Sequence, residues 1–275
     1  MGRIEAAFAH LKHSGKKALI PFITAGDPDL AATEKLLHTL VAAGAGIIEL
    51  GFPFSDPMAD GPTIQAASER ALASGTTLAG ILEMVSRVRL HTNVPIVLMG
   101  YYNPIFHYNP ERFARDAAAA GVDGVLLVDL PPEEAGELQD HLRAAGVALI
   151  TLLAPTTPPE RMARLAAGGE GFLYYVSMTG VTGVQQIDPA AIEEAVSVLK
   201  EKSPVPVAVG FGISTPAEAA SVARFADAVV VGSALVKVVA AYGDSPQLTD
   251  KVGEFVRSLK EGMEASAGAA TSPVP

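Results

Sequence analysis

One pattern recurs along the whole chain and limits what it can fold into. A short apolar run is followed by a loop rich in Gly, Pro and Asp, and then by a longer Ala- and Leu-rich stretch with helical spacing. This is the pattern of repeated βα units, and the nearly continuous apolar runs are typical of parallel strands buried on both faces. Eight units favour a closed barrel over an open, doubly wound sheet. The predicted strands are Ala18–Thr24, Ile47–Gly51, Ile96–Gly100, Gly124–Val128, Ala148–Leu152, Gly171–Val176, Val207–Gly210 and Ala228–Val231.

Helices are predicted between these strands. Several begin with Pro or an acidic residue, and others end just before Gly44, Gly121 or Gly146. A further amphipathic helix, Arg3–Lys12, precedes the first strand, and the segment from Ala265 is expected to be disordered. We therefore predict an α/β protein, a single (β/α)8 barrel of residues 1–264 with an extra N-terminal helix, and a tail of residues 265–275. The main predicted helices are Leu30–Ala43, Thr63–Ser74, Leu78–Leu90, Pro110–Ala120, Glu133–Ala145, Pro159–Ala167, Pro189–Lys200 and Pro216–Arg224.

The composition excludes several classes of protein. A net charge of −10 disfavours binding to nucleic acid or to an anionic membrane, because most of the surface would repel either polyanion. The chain has no cysteine, which excludes a disulfide scaffold, a thiolate zinc site and a cysteine nucleophile. The first residues lack a signal-peptide pattern, no apolar stretch reaches the roughly 18 residues of a membrane span, and the histidines lack metal-ligand spacing. We therefore expect a cytoplasmic protein without a metal site.

Glu49 is the charged residue that most needs an explanation. It lies inside the apolar run Ile47–Gly51, near the carboxyl end of the second predicted strand, where such barrels place their chemistry. Burial without a partner would raise its pKa, which suits a group that both gives and takes a proton. The alternative is a structural carboxylate paired with a neighbour, and position alone does not decide between the two.

The loop that follows this strand, residues 53–62, is rich in proline and carries two carboxylates. Asp60 could accept a hydrogen bond from a substrate N–H and stabilise positive charge. Asp56 could do the same, cap a turn or face a partner. For either aspartate taken alone, turn formation is the commoner role.

Two glycine-containing turns favour a phosphate site. Gly210–Ser214 follows the seventh predicted strand, and Gly232–Ser233 follows the eighth. Loops in these positions commonly bind phosphate through backbone N–H groups and a helix N-terminus, although glycine also serves ordinary tight turns. The loop of residues 177–184, after the sixth strand, is either a lid over the barrel mouth or an ordinary connection.

Several segments together resemble the tryptophan synthase alpha family over almost the whole chain. They are Pro21–Pro28, Glu49–Pro62, Gly180–Gly183 and Gly210–Ser214, and the second is highly specific. The resemblance implies a lyase that cleaves indole-3-glycerol phosphate into indole and glyceraldehyde 3-phosphate in tryptophan biosynthesis.

The resemblance also implies roles for individual residues. Glu49 would be the acid and base at indole C3 and at the glycerol hydroxyl, and Asp60 would bind the indole N–H. Met178 stands where some members of the family carry arginine, so lid closure is expected to differ. The other matching residues would surround the substrate: Phe22 and Phe211 as apolar contacts, Tyr174 beside the reacting ring, Thr182 as a lid residue supporting Asp60, and Gly183, Gly212, Gly232 and Ser233 at the phosphate.

A partner protein is implied as well. Members of the family work with a beta subunit that uses pyridoxal phosphate to join indole to serine, in an α2β2 tetramer with an indole tunnel. This chain itself is expected to hold no cofactor. Pro53, Asp56, Tyr101 and Asn103 are the residues expected to face the beta subunit.

Two other interpretations stay open at this stage. One is a different phosphate-binding barrel enzyme, such as a sugar-phosphate isomerase or epimerase, against which the combination of Glu49 and Asp60 argues. The other is a barrel without activity of its own that only activates a beta partner. Substitution of Glu49 distinguishes these, because only an enzyme would lose activity.

Overall fold

The computed structural model describes residues 1–176, 189–210 and 212–269, and its strands form a barrel. All pairings between these strands are parallel, in the order β5-β4-β3-β2-β1-β9-β8-β7-β6. The strands are β1 (Ala18–Thr24), β2 (Ile48–Gly51), β3 (Ile96–Gly100), β4 (Gly124–Leu127), β5 (Ala148–Leu149), β6 (Thr151–Leu153), β7 (Leu173–Val176), β8 (Val207–Gly210) and β9 (Ala228–Val231).

The barrel closes at the fifth predicted strand, which the structure divides in two. β5 pairs with β4, and β6 pairs with β7. Between them, the Ile150 N–H donates a hydrogen bond of 2.8 Å to the Val125 carbonyl, so the chain stays in the wall while it changes neighbours. The two short strands therefore occupy one place in the wall. The prediction of a (β/α)8 barrel with an extra N-terminal helix is confirmed.

Helices alternate with the strands, as the pattern predicts. The predicted helix boundaries agree with the observed ones to within two residues, with one exception. The seventh helix begins at Gly136 rather than Glu133, because the two preceding prolines form a hydrogen-bonded turn. The helices are α1 (Arg3–His13), α2 (Leu30–Ala42), α3 (Pro62–Ala73), α4 (Leu78–Arg89), α5 (Tyr102–Tyr108), α6 (Pro110–Ala120), α7 (Gly136–Ala145), α8 (Pro159–Ala167), α9 (Pro189–Lys202), α10 (Pro216–Ala223), α11 (Ser233–Tyr242) and α12 (Leu248–Ala269).

Three of these helices, α5, α11 and α12, were not among the predicted ones. Helix α12 continues past residue 264 to Ala269, and residues 270–275 lie outside the described part, so the division of the chain at residue 264 stays a prediction. In the described part of the chain, no helix has the length and apolarity needed to cross a membrane.

Residues that favour helix ends lie at the ends of several helices. Gly44, Gly121 and Gly146 have positive φ angles of 94°, 87° and 74°, a conformation that costs glycine least. At the other end, Asp29 accepts a hydrogen bond from the Ala32 N–H at the start of α2. The Thr215 and Glu218 side chains form a capping box at the start of α10.

The barrel interior is filled by alternate residues of the strands, and α1 closes its amino-terminal end. Ile4 and Phe8 of α1 are 2% and 7% exposed, and the Phe8 ring lies 6.0 Å from that of Phe172. An ion pair of 2.9 Å between Arg3 and Asp123, just before β4, fixes the same helix. The interior residues are Ile4, Phe8, Ala18, Ile20, Ile47, Val97, Leu126, Ile150, Phe172, Tyr174, Ala208, Ala228 and Val230.

We predict that truncating a buried side chain of α1, the helix that plugs the amino-terminal end of the barrel, lowers the stability of the protein. Ile4→Ala should lower the free energy of unfolding by about 2–5 kcal/mol, because it removes buried methyl groups and leaves a cavity. Urea denaturation measures the loss, with the exposed His10→Ala in the same helix as the control. A loss within about 0.5 kcal/mol, as surface substitutions give, would mean that α1 does not contribute to the core.

Candidate active site

A cavity of about 580 Å³ lies at the carboxyl ends of the strands. This volume suits a small organic ligand. The cavity gathers residues that are far apart in sequence, and seven of them were predicted as site residues: Phe22, Glu49, Asp60, Tyr174, Gly212, Gly232 and Ser233.

Glu49 lies in the barrel wall and faces this cavity. Its backbone pairs in register with Phe22 of β1 and Val97 of β3, and the residue is 2% exposed. Within the described residues, its Oε1 atom is buried without a hydrogen-bond partner. Burial raises the pKa of the Glu49 carboxyl to about 8, and the nearby charge of Asp60 raises it further in the same direction. Near neutral pH this group therefore holds a proton that it can give to a ligand.

Asp60 is fixed on the loop between β2 and α3. Its N–H donates to the Pro57 carbonyl at 3.1 Å, and the Gln65 side chain donates to its carbonyl at 2.9 Å. The Tyr101 hydroxyl donates to Asp60 Oδ2 at 3.1 Å and accepts from the Ala59 N–H at 3.0 Å. Burial raises the pKa of the Asp60 carboxyl, and the Tyr101 hydrogen bond acts in the opposite direction.

A partly buried ion pair holds the helix that follows Asp60. The Arg70 guanidinium on α3 donates two hydrogen bonds, of 2.8 and 2.7 Å, to the Asp27 carboxylate. Asp27 is 3% exposed and lies in the loop after β1. This two-point contact fixes the orientation of α3 against the loop of a neighbouring strand.

Aromatic and apolar side chains form the walls around the two carboxylates. Phe22, Ile64 and Met99 pack together there. A Cβ at Gly51, two residues after Glu49, would lie within 2.6 Å of the Phe22 ring, so the glycine makes room for that ring. The pKa of Tyr174 is raised well above its usual value by burial and by the charge of Glu49. Its hydroxyl therefore stays protonated.

Another part of the cavity wall is built from a turn and a helix N-terminus. Helix α11 begins at Ser233, and its N-cap, Gly232, has no side chain that could accept from the N–H groups of the first turn. Gly212 adopts a positive φ of 78° beside them. Such N–H groups and the helix dipole favour an anion. Lys237, one turn into α11, also lines the cavity.

The remaining predicted residues lie outside the cavity or outside the described residues. Asp56 and Asn103 are exposed, whereas Pro53 and Tyr101 are buried in this chain. Thr182, Gly183 and Phe211, and the Met178 departure, lie outside the described residues. The role of the first four as a contact surface stays a prediction. Among the residues of known placement, no group of three or more His, Cys, Asp or Glu could hold a metal ion.

Several cavity residues were not found from the sequence. Lys237 was missed because α11 was not predicted, although the apolar spacing of residues 233–242 is helical and places this lysine one turn after Ser233. Ile64 and Met99 also line the cavity. Tyr101 was predicted as an interface residue, and only the structure shows its hydrogen bond to Asp60.

Together the fold and the site define a TIM-barrel enzyme whose cavity combines a buried carboxyl of raised pKa with the N-terminus of a helix. The comparisons identify the family. The family model described as tryptophan synthase alpha chain matches residues 8–264. The tryptophan synthase alpha chain of Citrifermentans bemidjiense is 58% identical over 263 residues, which is 96% of this chain and 98% of the relative.

Comparison with solved structures points to the same family. Tryptophan synthase subunit alpha from Legionella pneumophila superposes with a TM-score of 0.89 at 41% identity, covering 96% of this chain and 99% of that one. A chain of the tryptophan synthase complex from Pyrococcus furiosus gives a TM-score of 0.79 at 40% identity, covering 88% and 97%. The chain belongs to the tryptophan synthase alpha chain family. It is a lyase of tryptophan biosynthesis that cleaves indole-3-glycerol phosphate to indole and glyceraldehyde 3-phosphate.

The raised pKa of Glu49 predicts a pH-dependent cost in stability. A carboxyl that titrates near 4.5 when unfolded and at about 8 when folded binds more protons in the folded state between these values. Its contribution to folding therefore becomes less favourable as pH rises through that window. Glu49→Gln should gain stability relative to the wild type from pH 4.5 to pH 8, by on the order of a few kcal/mol.

Urea denaturation at the two pH values measures this difference. Glu111→Gln, which replaces an exposed carboxylate on α6, is the matched control. A constant difference in the free energy of unfolding between Glu49→Gln and wild type across the window would show that Glu49 titrates alike in both states.

Proposed function

We propose that Glu49 and Asp60 carry out the cleavage between them, with Glu49 as both acid and base. The observation that supports this most directly is the buried Oε1 of Glu49, which has no hydrogen-bond partner among the described residues and lies in the wall of a cavity that Asp60 also lines. A structural carboxylate would be expected to have its hydrogen bonds satisfied by the protein. In the described part of the chain Oε1 has no such partner, and a ligand in the cavity would supply one.

In the first step, the protonated Glu49 donates its proton to C3 of the indole ring. C3 becomes tetrahedral, and the positive charge moves to the ring nitrogen. Asp60 accepts a hydrogen bond from the ring N–H and stabilises this cation by its negative charge. The Tyr101 hydroxyl holds Asp60 in place and favours its ionised form.

In the second step, the Glu49 carboxylate takes the proton of the hydroxyl on the carbon attached to C3. The oxygen electrons form the aldehyde C=O, and the bond from C3 to that carbon breaks. Its electron pair restores the double bond between C2 and C3 of the ring, and the π electrons of the C2=N bond return to the ring nitrogen. Indole and glyceraldehyde 3-phosphate are released, and Glu49 is protonated again. No water or cofactor is consumed, so one residue that alternates between acid and base suffices.

The phosphate of the substrate is assigned to the part of the cavity wall built from the turn and the helix N-terminus. Backbone N–H groups at Gly212, Gly232 and Ser233, with Gly183, would bind it at the N-terminus of α11. This local site explains how a chain of net charge −10 can bind an anion. Phe22, Tyr174 and Phe211 would surround the indole ring, and Thr182 would support Asp60 when the lid closes.

A beta subunit is the proposed partner. The relatives of known structure include a tryptophan synthase complex. We assign the contact to the loops at the barrel mouth, where Asp56 and Asn103 are exposed and Pro53 and Tyr101 lie beneath the surface. The assembly would be an α2β2 tetramer in the cytoplasm, with pyridoxal phosphate in the beta subunit and indole passing through a tunnel.

Activity of the Glu49→Gln variant tests the assignment. Purified protein is incubated with indole-3-glycerol phosphate, with and without a beta subunit from a close relative, and indole release is followed. We expect release by the wild type, stimulation by the beta subunit, and a loss of at least about a hundredfold in Glu49→Gln, since general acid–base groups contribute on that scale. Glu111→Gln should retain full activity.

Two results would contradict the proposal in different ways. Full activity in Glu49→Gln would remove Glu49 from the chemistry. If the proposal holds, Glu49→Gln should release no indole and should still activate the beta subunit. A wild type that only activates, without releasing indole, would instead support the non-catalytic interpretation.

The dependence of kcat/KM on pH should show the coupling between the two carboxyls. Because the first step needs protonated Glu49, kcat/KM should fall above about pH 8. The charge of Asp60 raises the Glu49 pKa, so Asp60→Asn should move this alkaline limb to lower pH while reducing the rate. Steady-state rates between pH 5 and 10 measure both. An alkaline limb at the same pH in both proteins would argue against this coupling.

A further inference from the structure

A second cavity, of about 670 Å³, lies at the amino-terminal end of the barrel, opposite the mouth. Its walls come from α1, the turn between α1 and β1, the end of α9 and the segment that leads into β8. The cavity forms because α1 covers the interior of the barrel and leaves a space at its own edge. None of the residues proposed for the alpha reaction contributes to it.

Positive charge exceeds negative charge in these walls. Four lysines line the cavity, Lys12, Lys16, Lys17 and Lys200, against two carboxylates, Glu5 and Asp227. This local excess stands out in a chain whose net charge is −10. A concave surface of one sign concentrates its field and attracts ions of the opposite sign.

The lysines at this end of the barrel do not each have a carboxylate partner of their own. Lys200 and Lys17 share the same oxygen of Asp227, at 2.8 and 3.7 Å. Lys16 pairs with Glu264 at 2.9 Å. Lys12 forms no salt bridge within the residues that the structure describes. One carboxylate thus faces two ammonium groups, with a further lysine beside them.

The burial of Lys17 adds to this imbalance. Its pKa is lowered, first by burial and then by the charge of Lys200, while Asp227 acts in the opposite direction. A half-buried ammonium beside another ammonium is stabilised when an anion binds between them.

Apart from Ser203, the other side chains of the lining are apolar. Phe8 and Leu11 of α1 form one side, and Val205 between two prolines forms the other. Phe8 also packs on Phe172 of the barrel interior, so this wall is fixed in place. The lining therefore offers a charged end for an anionic group and an apolar surface for a ring or chain.

We propose that this cavity binds a small organic anion that has an apolar body. The anionic head lies among Lys12, Lys17 and Lys200, and the apolar body packs against Phe8, Leu11 and Val205. The site is separate from the phosphate site at the mouth, since the two lie at opposite ends of the barrel.

Calorimetric titration of the full chain with naphthoate tests this proposal. Saturable binding is expected, and naphthylmethanol, which has the same ring without the charge, should bind at least about tenfold more weakly. Lys12→Met combined with Lys17→Met should raise the dissociation constant for naphthoate at least about tenfold. Lys200 is left in place so that Asp227 keeps a partner.

Three control variants locate the binding. Lys35→Met with Lys251→Met makes the same charge change away from the cavity and should leave the dissociation constant within about twofold. Ala9→Phe, at an exposed position on the rim, keeps every charge but fills the space, and should also weaken binding. Lys237→Met, at the mouth, should have no effect.

Several outcomes would overturn the proposal. Absence of saturable binding would do so, as would equal binding of the neutral probe. A loss caused by Lys237→Met, with none from the paired lysine variant or Ala9→Phe, would place the anion at the mouth. A melting temperature measured for each variant separates a lost site from a misfolded protein.

Discussion

The structure depends on the closure of a ring of parallel strands around one apolar interior. Every second residue of each strand must enter this interior, and there a side chain can meet only other strands, the plug α1 or the contents of the mouth. Almost all of these positions are apolar, from Ile20 to Val230. Glu49 takes such a position near the mouth, without a partner at Oε1 in the described part of the chain. The same closure that stabilises the fold therefore raises the pKa of this carboxyl.

The mouth gives two nearby carboxyls different surroundings. Among the described residues, Glu49 in the wall has no hydrogen bond at Oε1 that would favour its charged form, whereas Asp60 on the loop receives one from Tyr101. One group is thereby suited to give a proton and the other to stabilise a cation. The loop that carries Asp60 is in turn fixed by Gln65 and by the ion pair between Arg70 and Asp27. Positioning residues outside the cavity thus contribute to its electrostatics.

Much of the fold and part of the site could be predicted from the sequence. Continuous apolar runs mark buried parallel strands, and a glutamate inside such a run stands out for the same reason. The division of the fifth strand could not be predicted, because it depends on which neighbours Ile150 and Thr151 meet in the closed barrel. The hydrogen bond between Tyr101 and Asp60 could not be predicted either, because the two residues are 41 positions apart in the sequence.

Helices α11 and α5 were not predicted, and the reason in each case lies in the local sequence. Helix α11 follows β9 with no connecting loop beyond Gly232, so its apolar residues look like a continuation of the strand. Lys237, which lies in this helix, was therefore not predicted as a site residue either. Helix α5 is seven residues long and contains Pro104, a residue that usually marks a turn.

Glu49 holds a proton near neutral pH because the barrel buries it and, where the structure describes its surroundings, Oε1 has no partner. Carbon-13 NMR of protein labelled at the glutamate carboxyl carbons measures this directly, with the resonance assigned by its absence in Glu49→Gln. We predict a titration midpoint at about 8 in the wild type, and a lower midpoint in Asp60→Asn. A midpoint near 4.5, the value of an ordinary glutamate, would contradict the account.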